Sequence, residues 1–256
     1  MFTRAIVRPP GPNFAEGLTS AALGQPSFTK ALDQHRAYCS ALESCGLALT
    51  RLEPDARYPD STFVEDTAVL TAGSAVFTRP GAQSREGEVE AIREAVEGFF
   101  PTRHRIVSPG TLDGGDICEA GRTYFIGISD RTNEAGARQL ADVLTGEGYT
   151  CVTVDIRGLH GILHLKSGIA YIGDGRLLCV PSLAAREEFG GLEIVPVPEG
   201  EEYAGNCVRI NDRVLIAAGF SRTQDALCRR GYSVMPLEMS EYRKMDGGLT
   251  CLSLRF

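Results

Sequence analysis

The stretch Thr67-Ala68-Val69-Leu70-Thr71-Ala72-Gly73-Ser74-Ala75-Val76-Phe77-Thr78-Arg79-Pro80-Gly81 contains one complete repeating unit. Two short runs rich in β-branched and apolar residues, Thr67–Thr71 and Ser74–Thr78, read as strands joined by a tight turn at Ala72-Gly73. The break at Arg79-Pro80-Gly81 ends the second strand, and a helix is expected from about Ser84. Ser84 suits its cap, Glu86 and Glu88 its first turn, and Val89, Ile92 and Val96 its buried stripe.

Working outward, the unit recurs about every fifty residues. Asp116–Cys118 and Thr123–Ile128 form a second copy, with a break at Ser129–Asn133 and a helix carrying Leu140, Val143 and Leu144. Ser167–Ile172 and Arg176–Val180 form a third, whose helix is short or absent. Asn206–Ile210 and Arg213–Ala218 form a fourth, followed by a helix around Thr223–Arg230 that Gly231 terminates. The N-terminal part is an incomplete copy: a strand at Arg4–Arg8, then Phe28, Leu32, His35, Cys39 and Leu42 along one helical face. Its missing strand can come from Leu249–Leu254 at the other end of the chain. Five such units suggest an α/β fold closed radially around an axis, with residues 1–256 as one domain. The competing arrangement is an α+β sandwich in which hairpins recur by chance.

Composition is that of a soluble globular protein, with 43% hydrophobic and 23% charged residues and a net charge of −7. Nothing basic points to nucleic acid or an anionic membrane surface. There is no membrane-length apolar run and no leader-like N-terminus. The eight cysteines form no C-x-x-C pair or zinc spacing, so free thiols in a reducing cytoplasm are expected.

Four segments occupy comparable places in their units: Asp60–Asp66, Gly110–Asp116, Leu163–Gly168 and Asp246–Cys251. A closed array turns all four toward one cavity. Cys251 then meets His164 and Asp113, the residue types of a thiol nucleophile, its acid/base and an orienting carboxylate. Alone, Cys251 would be core filler and His164 a structural histidine. His35 reads as a satisfied core histidine and His104 as surface. The i,i+4 pair His160 and His164 could in principle bind a metal, but Gly161 disfavours the helix this needs, and the intervening residues lack a glutamate. Asp60, Glu65 and Asp66 lie beside apolar residues, so they should be paired or await a cation; their geometry suits a guanidinium. Arg79, Arg85 and Arg131 follow second strands and could bind a substrate carboxylate or pair with these acids.

Taken together, Pro59–Asp66, Thr78–Arg85, Gly110–Asp116, Arg131-Thr132-Asn133, Leu163–Ser167 and Asp246–Ser253 resemble the dimethylarginine dimethylaminohydrolase family. This family is part of the guanidine-modifying, pentein-fold superfamily. The resemblance implies a five-bladed α/β propeller that hydrolyses Nω-methylated arginines to citrulline without metal or cofactor, as a monomer or homodimer. It also implies roles by position. Cys251 would be the nucleophile, His164 the general acid/base and Asp113 its carboxylate partner. Asp60, Glu65 and Asp66 would be the substrate-site acids, with Asp60 and Asp66 toward the guanidinium. Arg85 and Arg131 would clamp the α-carboxylate, and the backbone carbonyls of Leu18 and Met245 would receive the α-amino group. The rivals are a deiminase of free arginine, a hydrolase of another N-substituted arginine, a non-catalytic propeller module and a metal-dependent amidohydrolase.

Overall fold

The structure is a computed structural model describing residues 1–256. The first group of elements is β1 (Arg4–Val7), α1 (Phe28–Ser44) and β2 (Ala48–Arg51). The second is β3 (Ala68–Leu70), β4 (Ala75–Phe77), α2 (Glu88–Val96) and β5 (Arg103–Arg105). The third is β6 (Ile117–Ala120), β7 (Thr123–Ile128), α3 (Glu134–Gly146) and β8 (Thr150–Asp155). The short α4 (Leu165–Gly168) leads into β9 (Ile169–Gly173), β10 (Arg176–Cys179) and β11 (Glu193–Pro196), with no α-helix between the last two strands. The chain continues through β12 (Val208–Ile210), β13 (Arg213–Ala217), α5 (Ser221–Cys228) and β14 (Ser233–Leu237), and ends with α6 (Ser240–Arg243) and β15 (Leu254–Arg255).

These strands form five three-stranded sheets, the blades of an α/β propeller. In each, the first two strands are antiparallel and a third pairs parallel with the second. The first sheet is completed from the opposite end of the chain, because β15 pairs antiparallel with β1, Leu254 opposite Ile6 and Arg255 opposite Ala5. The inner strands touch across blade boundaries: β15 meets β3, and β9 meets both β6 and β12.

Two features of the expected unit need correction. The parallel third strand of each blade was not anticipated. In β5 Arg103, His104 and Arg105 are all exposed, and β8 and β11 bury only Val154 and Val195 respectively, so no regular buried alternation marks these strands. The second correction concerns the helix expected from Ser84. It begins only at Glu88, and Ser84 is an exposed residue of a separate turn, Gln83–Arg85. That turn points Arg85 inward, where it pairs with Asp66 and Glu88; a continuous helix from Ser84 would not leave it there. By contrast, Asn133 caps α3 through its side chain, accepting from Gly136 N–H.

The apolar core lies within and between blades. Ile92 and Val96 of α2, for example, pack with Val64, Phe77, Ile6 and Leu254. His35 is buried on α1, but only its Nδ1 has a partner, Cys39 Sγ at 3.6 Å. Burial pushes its pKa down to about 4, so the ring is neutral; its Nε2 is left without a partner, against the expectation of full satisfaction. No helix is long and apolar enough to cross a membrane.

Closure predicts a cost concentrated in a two-residue strand. Leu254 is 5% exposed and contacts the cluster around Ile6 and Ile92, so Leu254→Ala should destabilise by about 2–5 kcal/mol. Urea unfolding should show a lower midpoint at unchanged m-value; a loss below about 0.5 kcal/mol, the range typical of surface substitutions, would contradict closure through this strand.

Candidate active site

Each inner strand is preceded by a single helical turn. These turns are Val64–Thr67, Gly114–Asp116, Leu165–Gly168, Glu202–Gly205 and Thr250–Leu252. The turn at Thr250–Leu252 contacts Val64–Thr67, which contacts Gly114–Asp116, which contacts Leu165–Gly168, which contacts Glu202–Gly205. The turns thus form an inner ring around the axis. Cys251 lies in one of them rather than at the head of a strand, and Ser167 and Gly168 belong to α4 rather than to β9.

On one side of this ring is a narrow pocket of about 30 Å³, lined by Leu18, Asp60, Asp66, Arg85, Arg131, His164, Met245 and Cys251, with Phe63, Leu163, Asp246 and Gly247. The sequence-derived site residues therefore converge, apart from two. Asp113 stands behind His164, and the Glu65 side chain does not line the pocket. Glu65 lines a separate cavity of about 480 Å³. Its Oε1 pairs with Lys166 Nζ at 2.7 Å and Arg255 Nη2 at 3.0 Å.

His164 Nε2 lies 3.0 Å from Asp113 Oδ2. Asp113 is fully buried and held by the Gly81 N–H, which donates to its Oδ1 at 2.8 Å. Asp66 accepts from Arg85 Nη1 at 2.6 Å and from Gly115 N at 2.9 Å. Gly115 is required by space: a Cβ there would stand 2.7 Å from His164 Nδ1 and 2.9 Å from Asp66 Oδ1. Arg85 is saturated, since it also donates to Glu88 and to Phe63 O. Of the two readings left open for the arginines, Arg85 is thus paired with acids. Arg79 likewise pairs with Glu86 at 2.9 Å. Arg131 is half-buried on the pocket and has no side-chain ion pair, so its guanidinium is free for an anion.

Electrostatics at the axis set the resting protonation. Burial opposes charge on His164, but Asp66, the bond to Asp113 and Asp116 outweigh it and raise its pKa to about 9. Burial also opposes charge on Asp66, yet His164, Arg85 and the Gly115 N–H bring it down to about 2. Burial, then Glu65 and Asp66, push the Cys251 thiol up to about 12, while the Gly248 N–H, 3.4 Å from Sγ, and Lys166 pull the other way. At neutral pH the site holds an imidazolium beside a neutral thiol.

Ligand atoms of Asp66, Asp113 and His164 lie within 4.8 Å of one another, the spacing of a possible metal set. They are already bonded to each other, to Arg85 and to backbone amides. His160 and His164 share no helix: both are outside α4, and Gly161 between them has φ of 76°. Leu18 N donates to both Asp60 oxygens at 3.1 Å, bringing the exposed loop around residue 18 over the pocket. Thr19 and Ser20 bond Asp246. Lys166, Glu88, Thr132 and Gly81 support the site, yet single-sequence reading assigned them no role. Gly81, Thr132 and Lys166 lie inside the matched segments and Glu88 just beyond one, but nothing in their type marks them as part of the site.

No family model matches the chain. It is 46% identical over the whole of both chains to the N(G),N(G)-dimethylarginine dimethylaminohydrolase of Pseudomonas aeruginosa. It is 36% identical to the enzyme of that name from Streptomyces coelicolor, over 98% of this chain and 96% of the relative. The crystal structure of a cysteine-to-serine mutant of the Pseudomonas aeruginosa protein complexed with citrulline superposes with TM-score 0.97 at 45% identity, covering all of both chains. The N-terminal domain of the cyanobacterial arginine dihydrolase ArgZ shares the fold at TM-score 0.88 and 19% identity, covering 100% of this chain and 97% of that one.

The pKa directions give a stability prediction. His164, raised from its ordinary 6.5 to about 9, contributes stability fully present below pH 6.5 and lost as pH rises through about 9. Asp66, lowered from 3.8 to about 2, contributes above pH 3.8 and loses it as pH falls through about 2. In His164→Gln the decline of Tm between pH 6.5 and 9 should flatten. An unchanged slope would show that His164 carries no such charge. Independently, iodoacetamide should alkylate Cys251 slowly at pH 7 and faster with increasing pH beyond 9; full reactivity at pH 7 would contradict the neutral thiol.

Proposed function

The chain belongs to the dimethylarginine dimethylaminohydrolase family, and we propose that it hydrolyses Nω-methylated arginines to citrulline and dimethylamine or methylamine. The observation that carries this reading is the buried Asp113–His164 pair beside the narrow pocket that also holds Cys251. Residues 1–256 act as a single catalytic unit in this reading, since the last strand completes the first sheet. The eight free cysteines suit a reducing cytoplasm.

Substrate enters as a cation. Its guanidinium sits between Asp60 and Asp66, and its α-carboxylate meets the free Arg131 rather than the saturated Arg85. The carbonyls of Leu18 and Met245 take the α-amino group. Glu65, paired with Lys166 and Arg255, acts from behind through the charge it places near the sulfur. Binding brings positive charge to the neutral thiol and lowers the cost of ionising it. The thiol proton leaves to solvent, and Sγ adds to the guanidino carbon.

His164, already protonated, gives its proton to the departing amine nitrogen as the carbon–nitrogen bond breaks. General acid help of this kind contributes roughly two to four orders of magnitude. The product of this half-reaction is an S-alkylthiouronium on Cys251 with a neutral imidazole. His164 then takes a proton from water as its oxygen adds to the same carbon. Collapse breaks the carbon–sulfur bond as the new hydroxyl gives up its proton to the departing sulfur, which releases neutral citrulline and restores the neutral thiol beside the imidazolium. Asp113 keeps the ring oriented and stabilises its charge through both transfers.

Two sets of variants test this. Cys251→Ser and His164→Gly should each reduce citrulline release at least a thousandfold while circular dichroism and Tm remain folded. Normal turnover in Cys251→Ser would rule out the scheme. Arg131→Ala should raise KM tenfold or more with kcat less affected. Comparing arginine, monomethylarginine and asymmetric dimethylarginine as substrates separates methylarginine hydrolysis from arginine deimination.

A further inference from the structure

Between Glu202–Gly205 and Thr250–Leu252, neighbours in the inner ring of turns, the polar connection is made by one side chain. Asn206 immediately follows Glu202–Gly205 and is 7% exposed. Its Oδ1 accepts from Thr250 N at 3.0 Å, and its Nδ2 donates to Thr250 Oγ1 at 3.1 Å and to Lys166 O at 3.0 Å. The partners dictate the orientation of the amide: a backbone N–H can only donate and a carbonyl can only accept. Both Nδ2 hydrogens are used.

These bonds join the two segments that carry the reacting groups. Lys166 is in α4, the turn that directly follows His164, and Thr250 immediately precedes Cys251. The other end of α4 is held from the opposite side, where Leu165 N donates to Asp116 Oδ1 at 2.9 Å. The turn beyond His164 is thus clamped by one side chain from each neighbouring blade, and one of the two clamps also grips the nucleophile's turn. Space around it is tight, since a Cβ on Gly248 would stand 2.4 Å from Asn206 Cγ. Gly248 is also the residue whose N–H reaches Cys251 Sγ.

We propose that Asn206 is a positioning residue for catalysis, setting the separation and orientation of Cys251 relative to His164 by bridging their two turns. The inference rests on the reading of those two residues as nucleophile and acid/base. Asn206 touches no substrate in this scheme. Its removal should leave ligand binding in place and impair the chemical step, because small misplacement of reacting groups is costly in rate. Aspartate keeps the shape and the bond from Thr250 N, but it loses both donated bonds and turns an oxygen toward the Lys166 carbonyl.

The test measures kcat, KM, citrulline affinity and the pH dependence of Cys251 alkylation by iodoacetamide in Asn206→Ala and Asn206→Asp. Expected are a tenfold or larger fall in kcat, KM and citrulline Kd within threefold of the parent, and alkylation displaced to higher pH as the Gly248 N–H contact loosens. Near-normal kcat would overturn the proposal. So would a parallel loss of kcat, citrulline binding and Tm, which is the signature of a merely structural residue. If the alanine variant does not fold, the isosteric aspartate carries the test, and failure of both to fold assigns Asn206 to the fold alone. Parent turnover in the same assay checks the underlying reaction, and the alkylation arm needs no substrate, so the two failures are distinguishable.

Discussion

Leu254 and Arg255 pair with Ile6 and Ala5, and the placement of Cys251 at the axis depends on that short antiparallel ladder. A radial array of five sheets has an inner ring only if its first and last units meet. Here the first unit lacks its own inner strand, so the C-terminus must supply it. The same three-residue turn that precedes this strand carries Cys251. Fold closure and the placement of Cys251 are therefore one event. The burial of Leu254 against Ile6 supplies apolar stabilisation, and Phe256 continues it by packing 5.1 Å from the rings of both Phe99 and Phe100.

Closure brings charges out of water at the axis, which is costly unless each is paired. The structure meets this with two separate ion groups. Asp113, His164, Asp66, Arg85 and Glu88 form a chain leading from the catalytic pocket into the second blade. Lys166, Glu65 and Arg255 form the other, behind the sulfur. Arg85 pairs with two carboxylates: burial raises Glu88 to about 7 despite that pairing, while Asp66 stays ionised and in turn keeps His164 charged at neutral pH. The thiol experiences the reverse: burial and the nearby acids Glu65 and Asp66 keep it protonated.

Much of this was legible in the sequence because the repeat is written in hairpins. The pairs at Ala68–Leu70 with Ala75–Phe77 and at Ile117–Ala120 with Thr123–Ile128 combine apolar runs with Gly turns, and both signals are local. The parallel third strands were not legible, since Arg103-His104-Arg105 looks like any solvated loop until β4 pairs with it. Motif resemblance located Cys251, His164 and Asp113, whereas periodicity alone placed only their segments near one cavity. Two local assignments failed for a common reason. Ser84 was expected to cap a helix and Cys251 to lie in a strand over Leu249–Leu254, but each lies in a short turn tied to a partner remote in sequence, Arg85 to Asp66 in one case and Thr250 to Asn206 in the other. Asn206 itself carries no chemical signal in sequence: an asparagine after a Gly reads as turn chemistry, and its three bonds span 40 and 44 residues.

Access to the site follows from the same geometry. Leu18 is held to Asp60 and Ser20 to Asp246, so the loop around residue 18 lies over the narrow pocket. The bonds that hold it down end on Asp60, one of the acids assigned to the guanidinium, and on Asp246, which sits in the Asp-Gly-Gly turn before Cys251 with φ of 55°. An arriving cation competes with the Leu18 N–H for Asp60. A cation in the pocket therefore weakens the contact that holds the loop over it, so access depends on the occupant's charge as well as its size.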